Sequence, residues 1–385
     1  MSSLAAHQIQ AVEEWFAENF TLRGELGASV SVWQDGEEAL SLSHGWRTKE
    51  RNTPFLPETL VPVWSATKGP AALTCLMALH EARLPLDSPV AEVWPGFFQH
   101  GKDQTTFAHL LSHCAGLPLL DDRPPILDYP AVVKALESQR PLWESGRTQA
   151  YHARTFGFLL DEIVRNITGA DSLGHYFNDA IAEPLGLEFW IGLPEPLHGH
   201  VATLYPGKIS LNPQDQPFLQ AFGTGGSITQ RTFTSPVGLN AVQDFNRPET
   251  WAANYASMGG VGSARGLGKL YAILANGGKC QGSQFFPSWI MNALQKPLSQ
   301  AVDAVLCAPI AFSAGMMMDP VDPETGKKMR RLFGPGHSAY GHPGAGGSHA
   351  FADPDRGLAF CYVMNQMETG ILPGPKVQGL IDALD

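Results

Sequence analysis

The stretch Trp64-Ser65-Ala66-Thr67-Lys68 decides the fold of this 385-residue chain, because it places a serine three residues ahead of a lysine at the start of a helix. The residues that follow, up to Arg83, repeat their apolar side chains at helical spacing. Residues i and i+3 share one face of a helix, so the Ser65 hydroxyl and the Lys68 amine can meet. A lysine that is partly stripped of water can take the proton of a serine hydroxyl and make it a nucleophile. The spacing therefore predicts S-x-x-K acyl-enzyme chemistry.

Two further segments could complete such a site, and each has a plainer interpretation. Tyr151 precedes a long amphipathic helix, and a phenol beside an ammonium can have its pKa lowered and relay protons; it could equally be an ordinary half-buried tyrosine. The glycine-rich run 341–347 lets a substrate approach the backbone, or it is only a turn before a strand. His342, within that run, could be a hydrogen-bonded loop histidine.

Composition limits the classes of partner. The chain has 44% hydrophobic and 16% charged residues, a net charge of −11, and no run of eighteen apolar residues. Nucleic acids and anionic membranes both require clustered Lys and Arg, so neither is expected as a partner. A small-molecule ester or amide is the expected ligand. The first twenty residues carry acidic side chains and no long apolar region, which predicts an amphipathic helix and not a signal peptide.

The cysteines and histidines predict neither disulfides nor a metal centre. Five cysteines are scattered through apolar surroundings, which indicates free buried thiols, a reducing compartment and hence a cytoplasmic location. Metal binding is not expected, because no pair of Cys or His has ligand spacing with a second pair to match. No cofactor is predicted.

The order of elements predicts an α+β fold. Two strands, Ala28–Gln34 and Glu38–Ser43, flank an Asp35-Gly36 hairpin turn, and two more are expected at Gly347–Ala352 and Gly357–Asn365. The ends should form one antiparallel sheet flanked by the N- and C-terminal helices, with a mostly helical domain inserted between them. The predicted units are 1–62 plus 255–385 and 63–254, with the active site at their interface. Helices are predicted near 66–82 and at Phe107–Ser112, Ala131–Gln139, Thr155–Thr168, Ala264–Asn276 and Lys376–Leu384, and the segment 196–250 is expected to be loop-rich and to cover the substrate.

Five motifs in order give the chain a resemblance to the serine β-lactamase and penicillin-binding-protein superfamily, on the side of class C β-lactamases and family VIII carboxylesterases. They are Ser65-Ala66-Thr67-Lys68, the segment LLSHCAGL at 110–117, Tyr151-His152-Ala153, Ser263-Ala264-Arg265, and His342-Pro343-Gly344 at the position of the K-T-G or H-x-G triad. The resemblance covers nearly the whole length.

The resemblance implies a role for each matching residue. Ser65 would be the acylated nucleophile, Lys68 its base, and Tyr151 the group that relays protons and helps to activate the deacylating water. The backbone N–H groups of Ser65 and Ala345 would form the oxyanion hole. The free N–H groups at a helix N-terminus agree with this assignment.

The chain departs from the β-lactamase pattern at the substrate-binding positions. Ala153 stands where Y-x-N has its asparagine, and His342 and Pro343 replace the lysine and hydroxyl of K-T-G. A site without these groups should bind a carboxylated amide poorly, whereas an uncharged ester needs only the nucleophile, the relay, the oxyanion hole and an apolar pocket. His342, Gly344, Ala153 and Trp64 are the predicted substrate-binding residues. Trp64, Phe218, Phe222 and Trp251 could line the pocket or simply pack in the core.

The leading hypothesis is a serine carboxylesterase that cleaves short-chain esters. The alternatives are β-lactamase, D-aminopeptidase or amidase activity, and acyl transfer to an acceptor other than water. A catalytically silent binding protein of the same fold is the hypothesis from another class.

Overall fold

The computed structural model describes residues 4–207 and 215–385. Its strands are β1 (Gly27–Gln34), β2 (Glu37–Gly45), β3 (Val61–Pro62), β4 (Phe189–Ile191), β5 (Gly260–Gly262), β6 (Lys279–Cys280), β7 (Ser283–Gln284), β8 (Ser299–Val302), β9 (Pro309–Phe312), β10 (Met317–Met318), β11 (Tyr340–Pro343), β12 (His349–Asp353) and β13 (Leu358–Met364).

Eight of these strands form one antiparallel sheet in the order β2-β1-β13-β12-β11-β10-β9-β8. The hairpin of β1 and β2 turns at Asp35 and Gly36, whose φ angles are 51° and 86°, as a type I′ turn requires. A second sheet, β3-β5-β4, lies next to the start of the nucleophile turn, since Val63 N–H donates to Gly260 O.

The α-helices of the described residues are α1 (Ala6–Thr21), α2 (Lys68–Glu81), α3 (Phe107–Leu111), α4 (Tyr129–Ser138), α5 (Thr155–Thr168), α6 (Leu173–Phe177), α7 (Glu183–Leu185), α8 (Gln216–Gly223), α9 (Ile228–Thr234), α10 (Pro248–Ala252), α11 (Ala264–Ala275), α12 (Ser288–Leu294) and α13 (Pro375–Asp382). Most of them, α2 to α10, lie between β2 and β5.

Side chains along the central strands alternate between the two faces of the large sheet, and each face packs against different helices. Phe360 and Tyr362 of β13 pack in the same cluster as side chains of α1 and α13. Ala359 and Cys361, on the opposite face, pack with α11. The small side chains on this second face let α11 approach closely, so that even a Cβ at Gly268 of α11 would lie 3.0 Å from Trp33 Nε1 and 3.4 Å from Cys361 Cβ. The sheet is thus flanked by the terminal helices on one face, and the predicted α+β class is confirmed.

One prediction about the elements needs correction. The sheet is larger than predicted, because β8 to β11 also belong to it; each of these strands is only two to four residues long, too short for a periodic pattern. The segment 196–250, predicted to be loop-rich, contains the short helices α8 and α9 and the start of α10, separated by loops; residues 208–214 of it lie outside the described part. The division into units 1–62 plus 255–385 and 63–254 stays a prediction.

Candidate active site

Ser65 lies on a short 3₁₀ turn, Trp64–Thr67, that runs directly into α2. Trp64 has a φ of 52°, a left-handed conformation that is strained for a residue with a large side chain. Its ring stacks on Phe245 at a centroid distance of 3.8 Å, and the hydroxyl of Thr67 accepts a hydrogen bond from Gly260 N–H at 2.9 Å. These contacts hold the turn in a conformation that an isolated chain would avoid.

Lys68 is completely buried and has three polar neighbours. Its Nζ lies 2.9 Å from Ala153 O, 2.8 Å from Ser257 O and 3.3 Å from Ser65 Oγ. Burial lowers the pKa of Lys68 well below its ordinary value near 10.5. A neutral amine has two N–H donors and one lone pair. Because the two carbonyls accept both donors, the lone pair is left for the Ser65 hydroxyl.

Tyr151 is buried beside this pair. Its ring centroid lies 5.0 Å from Lys68 Nζ, and its hydroxyl lies at the pocket beside Ser65, 3.5 Å from His342 Nε2. Burial raises the pKa of Tyr151 by more than the interaction with Ser65 lowers it. The lowered pKa expected from the sequence is therefore wrong, because burial of the phenol outweighs the one nearby interaction that favours the phenolate. Tyr151 is a neutral phenol that can donate a proton.

His342 is buried and has a defined tautomer. Its Nδ1 lies 2.8 Å from the carbonyl oxygen of Pro343, which can only accept, so Nδ1 carries the hydrogen. Nε2 is then an acceptor that faces the Tyr151 hydroxyl. Burial, together with the nearby Lys68, lowers the pKa of His342 to about 3, so this tautomer is neutral at neutral pH.

The two amides predicted for an oxyanion hole lie at the same pocket. Ser65 N–H precedes the first bond of the 3₁₀ turn, Ala66 N–H to Val63 O, and neither Ser65 N–H nor Ala345 N–H donates a hydrogen bond within residues 4–207 and 215–385. Gly344 packs against the start of the turn, since a Cβ there would come within 2.1 Å of Val63 O. Only glycine lets the loop before Ala345 approach this closely.

The pocket above Ser65 is mainly apolar. Its cavity volume is about 230 Å³, just below the range of about 300–1,000 Å³ that drug-sized ligands occupy, so it suits a small substrate. Of the described residues that line it, only Arg154 carries a positive charge. The Nη atoms of Arg154 are taken up by Asn240 Oδ1 and by three carbonyl oxygens of the loop 236–239. Apolar walls come from Phe218, Phe222, Phe233, Leu306, Met317 and Leu372, among others.

The structure brings most of the predicted site residues together. Ser65, Tyr151, His342, Ala345 and Trp64 line the pocket, and Lys68 lies against Ser65. The expected wall residues Phe218 and Phe222 line it as well.

Two predicted positions differ. Ala153 and Gly344 do not line the pocket; Ala153 contributes its carbonyl to Lys68, and Gly344 packs on Val63. For Trp251, the core-packing interpretation holds: it packs on a separate cluster with Leu60 and Val261 and donates its indole N–H to the backbone carbonyl of Phe245.

Sequence reasoning missed Ser257, whose carbonyl is the second acceptor for Lys68. A carbonyl acts through the backbone, so no side-chain motif could reveal it. It also missed Met258, Leu306 and Met317 of the pocket wall, which come from the sheet side of the chain and carry no signature of their own.

The described residues contain no group of three or more His, Cys, Asp or Glu placed to hold a metal ion. None of the helices in 4–207 and 215–385 combines the length and apolarity needed to cross a bilayer. All five cysteines are free; Cys75, Cys114 and Cys361 are buried, and Cys280 and Cys307 are half-buried.

Comparison with known proteins places this geometry in a family. Residues 12–373 match the family described as Beta-lactamase. The relative "Esterase/beta-lactamase LipL" of Mycobacterium tuberculosis (strain ATCC 25618 / H37Rv) is 30% identical over 358 residues, covering 91% of this chain and 80% of the relative. A penicillin-binding-protein homolog from Caulobacter crescentus is 34% identical, with a TM-score of 0.82 and coverage of 100% of this chain and 98% of that one. A family VIII carboxylesterase is 30% identical, with a TM-score of 0.86 and the same coverage.

The chain therefore belongs to the β-lactamase family, and it is an enzyme of the serine hydrolase class. The resemblance carried by the five motifs is confirmed.

Proposed function

We propose that the enzyme cleaves short-chain carboxylic esters through an acyl-enzyme on Ser65. The observation that carries this proposal is the environment of Lys68: two carbonyls occupy its donors, and its lone pair is left for Ser65. Lysine in this state is a base for the serine hydroxyl.

The proposed reaction uses one proton relay in both halves. Ser65 Oγ bonds to the ester carbonyl carbon while its proton moves to Lys68 Nζ. The C–O bond to the alcohol then breaks, and the alcohol leaves with a proton donated by Tyr151, which recovers one from Lys68. In deacylation a water bonds to the acyl carbon and gives its proton to the same pair, and Ser65 is reprotonated as its ester bond breaks. The N–H groups of Ser65 and Ala345 bind the oxyanion each time.

The pocket supports esters over β-lactams. A β-lactam carboxylate needs a free cation or hydroxyl, but Arg154 is committed to loop carbonyls, His342 is neutral, and Pro343 has no side-chain donor. Apolar walls suit an uncharged acyl group or alcohol. The similarity to a family VIII carboxylesterase supports the same choice. We also propose a cytoplasmic location, on the basis of the five free thiols.

The test is a chain-length series of p-nitrophenyl esters measured beside nitrocefin, with the wild type and Ser65→Ala. We expect ester turnover with ping-pong kinetics, little nitrocefin turnover, and no ester turnover by Ser65→Ala. Nitrocefin turnover that exceeds ester turnover would assign the enzyme to amide chemistry, and full esterase activity in Ser65→Ala would remove Ser65 from the mechanism.

A further inference from the structure

The segment that carries Tyr151 is tied to two buried residues from distant parts of the chain. Tyr151 N–H donates to Asp303 Oδ1 at 3.1 Å, and His152 N–H donates to His113 Nδ1 at 3.0 Å. Ala150 N–H donates to the backbone carbonyl of His113, also at 3.0 Å. Three consecutive backbone N–H groups are thus fixed by two residues. His113 holds those before and after Tyr151, and Asp303 holds that of Tyr151 itself.

His113 is suited to act as a permanent acceptor. It is fully buried, and burial lowers its pKa well below the ordinary value. Nδ1 accepts from His152, so the ring hydrogen is on Nε2, and the neutral ring keeps this arrangement through the working pH range. The ring also packs against the Tyr151 side chain at a centroid distance of 4.9 Å, and against Phe312 at 4.4 Å. His113 therefore restrains both the backbone and the ring of Tyr151.

Asp303 fixes the backbone N–H of Tyr151 itself. Its Oδ1 accepts from the N–H groups of Tyr151, Val305 and Leu306, at 3.1, 2.9 and 2.9 Å. It is fully buried, and no Lys or Arg in the described residues forms an ion pair with it. A buried carboxylate whose charge is offset only by hydrogen bonds is costly, and its N–H partners become closely fixed. Asp303 thereby links Tyr151 to Leu306 in the pocket wall.

The position of the Tyr151 hydroxyl is what this arrangement controls. The hydroxyl lies at the pocket beside Ser65, at the long distance of 3.5 Å from His342 Nε2, so a small displacement would break the relay. A displacement of about 1 Å at a reacting group can cost on the order of 10²-fold in rate. We propose that His113 and Asp303 are positioning residues that hold the Tyr151 hydroxyl against Ser65. The proposal rests on the proposed function, in which Tyr151 moves protons.

The test compares variants that differ in the acceptor. His113 has a φ of 60°, which both glycine and asparagine tolerate, so His113→Gly removes the acceptor while His113→Asn keeps an oxygen in its place. Asp303→Ala and Asp303→Asn form the second pair. We expect the Gly and Ala variants to lose kcat by on the order of 10²-fold, with KM for p-nitrophenyl acetate changed by about twofold or less, and both Asn variants to recover most of kcat.

Leu380→Ala controls for destabilisation alone. Leu380 is fully buried on α13, in the cluster that packs with the terminal helices, and its truncation should lower the unfolding midpoint without lowering kcat. If His113→Gly does not fold, the test uses His113→Gln. The side-chain oxygen of glutamine lies one methylene further from the backbone than Nδ1 of His113, so it does not replace the acceptor, and the same loss of kcat is expected.

A double-mutant cycle separates positioning from a structural role. In a Tyr151→Phe background the hydroxyl is absent, so His113→Gly should cost only about twofold there, against the order of 10²-fold in the wild type. Equal losses in both backgrounds, or undiminished kcat in His113→Gly and Asp303→Ala while Ser65→Ala is inactive, would overturn the positioning role alone. Full activity in Ser65→Ala would instead overturn the proposed function.

Discussion

The Lys68 amine lies 3.3 Å from the Ser65 hydroxyl, and among the described residues no carboxylate forms an ion pair with it. Burial is the cause of its lowered pKa, and the carbonyls of Ala153 and Ser257 orient it. A counter-ion would instead have favoured the ammonium form and left the serine without a base. The fold thus prepares the base by removing water from a lysine on the first turn of α2.

The approach of Gly344 to Val63 predicts a steric requirement for the oxyanion loop. Gly344→Ala would place a Cβ within 2.1 Å of Val63 O, so the loop that carries Ala345 must move away from Ser65. We expect kcat on p-nitrophenyl acetate to fall by about 10²-fold, the usual cost of losing an oxyanion donor. Gly199→Ala is the matched control, because a Cβ at Gly199 meets nothing within 4 Å. Wild-type kcat in Gly344→Ala would remove this loop from the oxyanion hole.

The burial of Asp303 predicts a pH dependence of stability. Burial raises the pKa of Asp303 from 3.8 to about 6, so the folded protein holds a proton here that the unfolded chain has released. Its contribution to stability is complete below pH 3.8 and is lost as pH rises through 6. Relative to Asp303→Asn, the wild type should lose about 2 kcal/mol of unfolding free energy between pH 4 and pH 7, as measured by urea unfolding. A difference between the two proteins that does not change with pH would refute the raised pKa.

The aromatic wall predicts a chain-length effect. Phe222 lines the pocket and is 42% exposed at its mouth, so its ring can still cover an acyl chain. Phe222→Ala should lower kcat/KM for p-nitrophenyl hexanoate by about tenfold, while the value for acetate changes by about twofold or less. Leu298→Ala, at the same exposure but outside the pocket, should affect neither ester. Equal effects of Phe222→Ala on both esters would exclude contact between this ring and the longer acyl chain.

Elements with a local signature could be predicted from the sequence. The helix Thr155–Thr168 has the predicted bounds, because Gly169 ends it in a left-handed conformation with a φ of 72°. The strands β8 to β11 could not be predicted, since they depend on pairing with neighbours far along the chain rather than on a pattern of their own.

Some residues of the candidate site could likewise be predicted from a sequence motif, and others could not. Ser65, Lys68 and Tyr151 carry reactive side chains in recognisable motifs, and the structure brings them together. Ser257 acts on the site through its backbone carbonyl, and Asp303 acts on the backbone N–H of Tyr151. Interactions with the backbone leave no trace in a sequence motif. The pKa of Tyr151 was mispredicted for a related reason, because burial is a property of the folded surroundings.

We propose that neutral Lys68 is the base for Ser65. A second buried lysine, Lys102, provides the control. Lys102 is also fully buried and donates to two backbone carbonyls, of Glu137 and Gln139, but no serine hydroxyl within the described residues is bonded to it. Lys68→Met and Lys102→Met therefore remove similar groups, of which only the first faces Ser65. As pH falls through its pKa, Lys68 gains a proton and can no longer act as a base.

The most direct measurement is the rate of fluorophosphonate labelling, followed by intact mass between pH 5 and pH 10. We expect one adduct in the wild type and none in Ser65→Ala. The rate of labelling of the wild type should rise with pH through a single ionisation, with a pKa well below 10.5. Lys68→Met should be labelled about 10² to 10⁴-fold more slowly, and Lys102→Met at the wild-type rate. Labelling of Lys68→Met at the wild-type rate, with the same dependence on pH, would contradict the claim that Lys68 is the base.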